Sequence, residues 1–230
     1  MLKVLLDRNV EREAITHRSH MDERTLVWSN ADGSSSVTLK SNVVSRERVA
    51  PRRDESFRRL QLPYLATVGM LARAKRIDLF TSPELNNERM RQPGAKDGWA
   101  GFDLLFGVDL RLVDSPMART IAVSAHGNSF GLAAGEQVTF FRSITTPRFL
   151  ELRQIIGDAH IADTFHLWTA EFAKLDMFLT CERRFPNVVA QHYRKLKTTV
   201  RVVTPMQLCE SLNEAPTDVD MLAAQRPPFS

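Results

Sequence analysis

Ile161-Ala-Asp163-Thr-Phe-His166-Leu-Trp-Thr-Ala-Glu171, followed by Leu175-Asp-Met-Phe-Leu-Thr180-Cys-Glu182, is the stretch whose reading decides the fold of this chain. Apolar residues recur at helical spacing in its first part and run together in its second. The spacing predicts an amphipathic helix over about 159–174, a short turn and a buried strand. The helix carries one inward acid, Asp163, and a second acid, Glu182, stands just past the strand. Side chains beyond the C-terminal ends of strands in an open α/β sheet line the crevice where ligands bind. Two carboxylates are therefore offered to one crevice.

Working outward, Leu2-Lys-Val-Leu-Leu6 reads as another buried strand, with Asp7-Arg-Asn9-Val directly after it and a short helix expected near 9–15. A short strand from Ile77 to Phe80 leads through Ser82-Pro into a helix carrying Glu84 and Glu88. Either could supply a further acid; Glu84 also suits a first helical turn, where the dipole favours negative charge. Hard divalent cations take oxygen ligands, and Mg²⁺ holds only one or two carboxylates directly. Acids grouped without a dedicated His or Cys set suit Mg²⁺ or Mn²⁺ better than zinc.

These segments resemble the PIN domain, a metal-dependent nuclease fold. Leu6-Asp7-Arg-Asn9-Val is similar to that family's Leu-Asp-x-Asn-Val start, and Ser82 is followed six positions later by Glu88. Asp163-Thr-Phe-His-Leu-Trp-Thr-Ala resembles its Asp-Ala-x-x-x-Ala-x-Ala helix, and Phe178-Leu-Thr180-Cys-Glu182-Arg-Arg-Phe185 its Leu-Thr-x-Asp run. Val200-Arg-Val-Val-Thr-Pro205 looks like the closing strand and helix start. The resemblance covers roughly residues 1–15, 55–92 and 147–212. It implies a three-layer α/β/α fold around a mostly parallel sheet, and a Mg²⁺- or Mn²⁺-dependent endoribonuclease that cleaves single-stranded RNA. Asp7, Glu88, Asp163 and Glu182 would hold the metal and carry catalysis, with Asn9, Thr180, Arg183 and Arg184 as substrate contacts. Toxin members of the family imply a small antitoxin-like inhibitor protein as a partner. Glu182 departs from the pattern, standing where the family has Asp, one methylene longer in reach.

The chain of 230 residues, 43% hydrophobic, is long enough to bury a full core as one domain. Residues 16–54 and 93–146 have no place in a minimal PIN fold and read as β-rich insertions. In the first, Thr25–Trp28 and Ser36–Leu39 flank a turn-rich loop and suggest a hairpin, with 40–56 basic and irregular. In the second, 109–113, 120–124 and 137–142 have strand character. Leu62, Leu65, Val68 and Leu71 mark a helix with Pro63 at its start. Thr146-Pro147 begins a helix through Ile156, and 213–230 reads as a flexible tail.

No apolar run approaches a membrane span, and the N-terminus lacks a signal-peptide pattern, so the expected location is cytoplasmic. The two cysteines, Cys181 and Cys209, form neither a metal-ligand spacing nor a disulfide framework. The net charge of +4 is modest, but Arg183, Arg184, Arg194, Lys195, Lys197 and Arg201 follow Glu182 with no intervening acid. Such a run beside an acidic crevice suits a phosphodiester substrate; a solvated helix face is the alternative. The oligomeric state stays open, a homodimer included. Two other functions compete: a catalytically degenerate module that binds nucleic acid, and a serine hydrolase using Ser129 in Gly127-Asn-Ser129-Phe-Gly131.

Overall fold

The computed structural model describes residues 1–29, 36–48, 55–90, 104–117, 119 and 134–219. Five parallel strands form the main sheet. Its centre is β1 (Leu2–Leu6), flanked by β4 (Ile77–Thr81) and β6 (Met177–Leu179), with β5 (Leu110–Leu112) and β7 (Arg201–Val203) at the edges. The central strands are apolar almost throughout because both faces are covered, as parallel sheets require. Val4, Leu6, Met177 and Leu179 face one core, and Leu5 and Phe178 face the other.

The first core is closed by α1 (Arg8–Ala14), α2 (Glu55–Arg73) and α8 (Pro205–Ser211). The second is closed by α4 (Ala134–Ser143), α5 (Pro147–Ile156), α6 (Ile161–Phe172) and α7 (Arg184–Leu196). The result is the three-layer α/β/α arrangement expected from the sequence. An aromatic cluster welds α4, α5 and α6 together: Phe141 stacks on Phe165 at 4.5 Å between ring centroids, and Phe149 and Trp168 meet Phe165 edge-on. A capping box starts α8, with Thr204 Oγ1 accepting the Gln207 N–H and Gln207 Oε1 accepting the Thr204 N–H.

The strand order β5-β4-β1-β6-β7 sets the location of the crevice. From β1 the chain moves outward to β4 and β5, then returns across the centre to β6 and β7. The direction of winding reverses between β1 and β6, so the loops leaving those two strands diverge and open a cleft at their carboxyl ends. Asp7 leaves β1 and Thr180 leaves β6 at that cleft. Among the described residues no helix is long and apolar enough to cross a membrane.

Several local expectations are corrected. The hairpin is longer than its turn-flanking residues suggest: β2 (His17–Ser29) pairs antiparallel with β3 (Ser36–Arg48) over its whole length, so 40–48 is strand rather than irregular. Pro63 lies inside α2, which starts at Glu55; the Pro63 carbonyl accepts the Thr67 hydroxyl and the Thr217 N–H. Residues 137–142 form helix α4 instead of a strand. Gln137 and Phe141, one helical turn apart, are both buried there. The second insertion is thus not β-rich where it is described: it supplies edge strand β5 and helix α4. Of the tail, Ala215 and Thr217 hydrogen-bond to Thr67 of α2.

Candidate functional site

Asp7 occupies the N-cap position of α1, yet its side chain makes no capping bond. Its carboxylate is turned into the cleft and held across the strand gap. Asp7 Oδ2 accepts the Thr180 hydroxyl at 2.7 Å and Asn9 Nδ2 at 2.5 Å. Asn9 Nδ2 also donates to Thr180 Oγ1 at 2.9 Å, and Asn9 Oδ1 accepts the Cys181 N–H at 2.7 Å. Thr180 Oγ1 accepts the Glu182 N–H at 3.2 Å. With one proton given and two accepted, the Thr180 hydroxyl is saturated. Asn9 and Thr180, expected as substrate contacts, are buried and spend these bonds on Asp7 and on the turn that presents Glu182.

The other acids gather around a buried histidine. His166 Nε2 lies 3.0 Å from Glu88 Oε1, which joins α6 to α3 (Pro83–Met90). Asp163, one turn earlier on α6, has His160 Nδ1 3.3 Å from its Oδ2. Mutual charge effects tie these groups into one electrostatic unit. Burial, then the charge of Asp163, pushes the Asp7 carboxyl from 3.8 up to about 7, against the opposing pull of His166 and Thr180. Asp163 is also raised, by burial first; His166 opposes that rise and Glu182 adds to it. For His166, burial disfavours the proton, but Glu88, Asp7 and Asp163 together outweigh it and lift the pKa above the usual histidine value. His166 Nδ1 is buried and, among the described residues, has no hydrogen-bond partner.

The geometry separates Glu84 from Glu88. Glu84 is buried and clamped by Arg119, Nε to Oε1 at 2.6 Å and Nη2 to Oε2 at 2.7 Å, with Gln137 Nε2 donating to Oε2 at 2.9 Å. The Arg119 guanidinium also lies 4.3 Å from the centre of the Phe140 ring. Glu84 is thus neutralised inside the fold, whereas Glu88 belongs to the acidic unit. Arg183 and Arg184 are exposed at the start of α7, beside half-buried Glu182. Ser129 and its glycines lie outside the described residues. The partners that sequence reading missed are His160, Arg119 and Gln137; the spacing of His160, just before α6, and Asp163 in its first turn was a usable signal.

Comparison with protein-family models, with curated proteins and with solved structures finds no match for this chain. The cluster's own chemistry must therefore answer whether it suits a divalent ion. Asp7, Glu88, Asp163 and Glu182 all offer oxygen, the donor that Mg²⁺ and Mn²⁺ prefer. Burial first, and the neighbouring carboxylates after it, hold Asp7 and Asp163 above the usual carboxylate range, and a cation placed among them would oppose both effects. By donor type and charge the residues fit a hard cation. Among the described residues no three His, Cys, Asp or Glu side chains already form a group that could hold one. In this arrangement Glu88 and Asp163 face the imidazoles of His166 and His160 instead.

Proposed function

We propose that this chain is a Mg²⁺- or Mn²⁺-dependent endoribonuclease of the PIN-like kind, cleaving single-stranded RNA. One observation carries the reading: Asp7, Glu88, Asp163 and Glu182, from four separate segments, form a single electrostatically coupled unit at the carboxyl ends of the strands. Carboxylates placed together this way raise one another's pKa, a cost that a fold retains where the charge is used.

These four acids would hold the metal. Bound there, such an ion supplies an activated water and neutralises charge on the scissile phosphate. The chain's own residues prepare that chemistry. Thr180 and Asn9 fix Asp7 Oδ2, which leaves Oδ1 as the oxygen that carries the proton near neutral pH. His166 holds Glu88 against α6. Arg183 and Arg184, exposed next to Glu182, are suited to phosphate binding.

The test is cleavage of unstructured RNA with Mg²⁺ or Mn²⁺, with chelator, and by Asp163→Asn. Cutting that vanishes with chelator and in the variant supports the reading; cutting that survives both refutes it. The second reading, a nucleic-acid-binding module without turnover, is favoured by the imidazoles that already face Glu88 and Asp163. It expects salt-sensitive RNA binding and no cleavage by the parent protein.

A further inference from the structure

The cations that follow Glu182 have no internal work, unlike many other described basic side chains. Arg119, Arg148 and Arg153 each make two bonds to a single carboxylate, and Arg76, Lys75 and Arg111 also have acidic partners. Arg183, Arg184, Arg194, Lys195, Lys197 and Arg201 are exposed. Among the described residues none of their side chains is in an ion pair or hydrogen bond. No acid occurs from Arg183 to Cys209. Mixed signs are the ordinary state of a solvated surface, and the side chains of α7 itself carry one sign only.

The helix geometry orders these charges. Phe185, Val189 and Leu196 turn one side of α7 into the core. Arg184, Gln191 and Lys195, at i, i+7 and i+11, fall in one exposed row about a third of a turn from the buried side, and exposed Asn187 and Arg194 point directly away from the core. At about 1.5 Å per residue the row is roughly 16 Å long, enough to follow several phosphates. It begins next to Glu182, at the cleft. The apolar side of α7 is committed to the core, so the helix cannot sink into a bilayer as an interfacial helix does.

We propose that the exposed face of α7 is a track for a single-stranded phosphodiester chain, guiding it from the cleft past Arg184 toward Arg194 and Lys195. The proposal rests on the nuclease reading of the cleft and names where the rest of the substrate lies. The track neutralises phosphates and reads no bases, so binding along it is governed by counterion release.

The test is fluorescence anisotropy of a labelled oligouridylate of about 16 nucleotides, in chelator, across a range of salt concentrations. Arg194→Ala/Lys195→Ala should reduce the slope of log K against log salt by about 1.4, near 0.7 for each single-strand phosphate that is no longer neutralised. Lys75→Asn removes a charge from the opposite layer at a left-handed position that Asn tolerates, and should leave the slope unchanged. The proposal is overturned if the double variant keeps the parent's slope, or if the parent does not bind the strand. It is also overturned if the variant loses binding to polyglutamate while its RNA binding is intact, which would make an acidic peptide the occupant. Failure of the nuclease reading shows separately, as absence of chelator-sensitive cleavage by a parent that still binds RNA.

Discussion

Replacing Asp7 by Asn should stabilise the metal-free protein at alkaline pH and cease to do so in acid. The carboxyl's pKa moves from 3.8 to about 7 on folding. Between those values the native state keeps a proton that the unfolded chain has released, so this group's contribution is fully present below 3.8 and is lost as pH rises through about 7. At about 1.36 kcal/mol per unit, the charged form costs the native state about 4 kcal/mol at pH 8. Asn carries no charge, and its Oδ1 can accept the same two bonds from Thr180 and Asn9. Its new amide donors need partners, which takes back about 1–3 kcal/mol. The net gain is about 2 kcal/mol, or roughly 4–8 °C in Tm for a chain of this size. The assay is thermal unfolding of both proteins in chelator from pH 5 to pH 8. A variant less stable than the parent at pH 8, or a difference that does not change with pH, refutes the reasoning. Excess Mg²⁺ should narrow the gap by stabilising the parent more than the variant.

Thr180→Val removes the hydroxyl shared by Asp7, Asn9 and the Glu182 amide; it should lower stability by about 1–3 kcal/mol in denaturant melts and reduce RNA cleavage in the fraction that folds. Glu84→Gln leaves half-buried Arg119 without its carboxylate and should cost about 1–3 kcal/mol while the folded protein still cuts RNA. Glu88→Gln should do the reverse, sparing the fold and abolishing cutting, so exchanged phenotypes would show that the two acids have been assigned the wrong way round. Gly69→Ala would drive a methyl into the Leu104 carbonyl oxygen and should destabilise by about 1–3 kcal/mol, read as a lower denaturant midpoint.

How much of this was legible in the sequence depends on how local each decision was. Leu2–Leu6 and Met177–Leu179 are apolar enough to be read as buried strands, and each ends at a polar residue of the cleft, Asp7 or Thr180. Asp163 and His166 could be placed one turn apart because α6 has a clear helical period. Glu84 and Glu88, also one turn apart, both fit a site acid, with the spacing from Ser82 favouring Glu88; Arg119, 35 residues away, is what takes Glu84 out of the cleft. Residues 137–142 have strand character by residue type, with Val138, Thr139, Phe140 and Phe141 together. Burial of Gln137 and Phe141 against the bonds and rings of other helices decides for α4. Pro63 suits a helix start, where its missing N–H is harmless, yet it lies inside α2, where its carbonyl finds partners in Thr67 and Thr217.

The clamp between Asp7 and Thr180 joins positions 173 residues apart. During synthesis Asp7 is made well before Thr180, which follows 173 residues later and fixes it. A nascent or truncated polypeptide that stops before β6 has neither Thr180 nor Glu182, and its β1 lacks one of its two neighbours. Under the nuclease reading proposed above, activity of this cleft waits for β6, so a copy that stops before that strand cannot attack the messenger from which it is being translated.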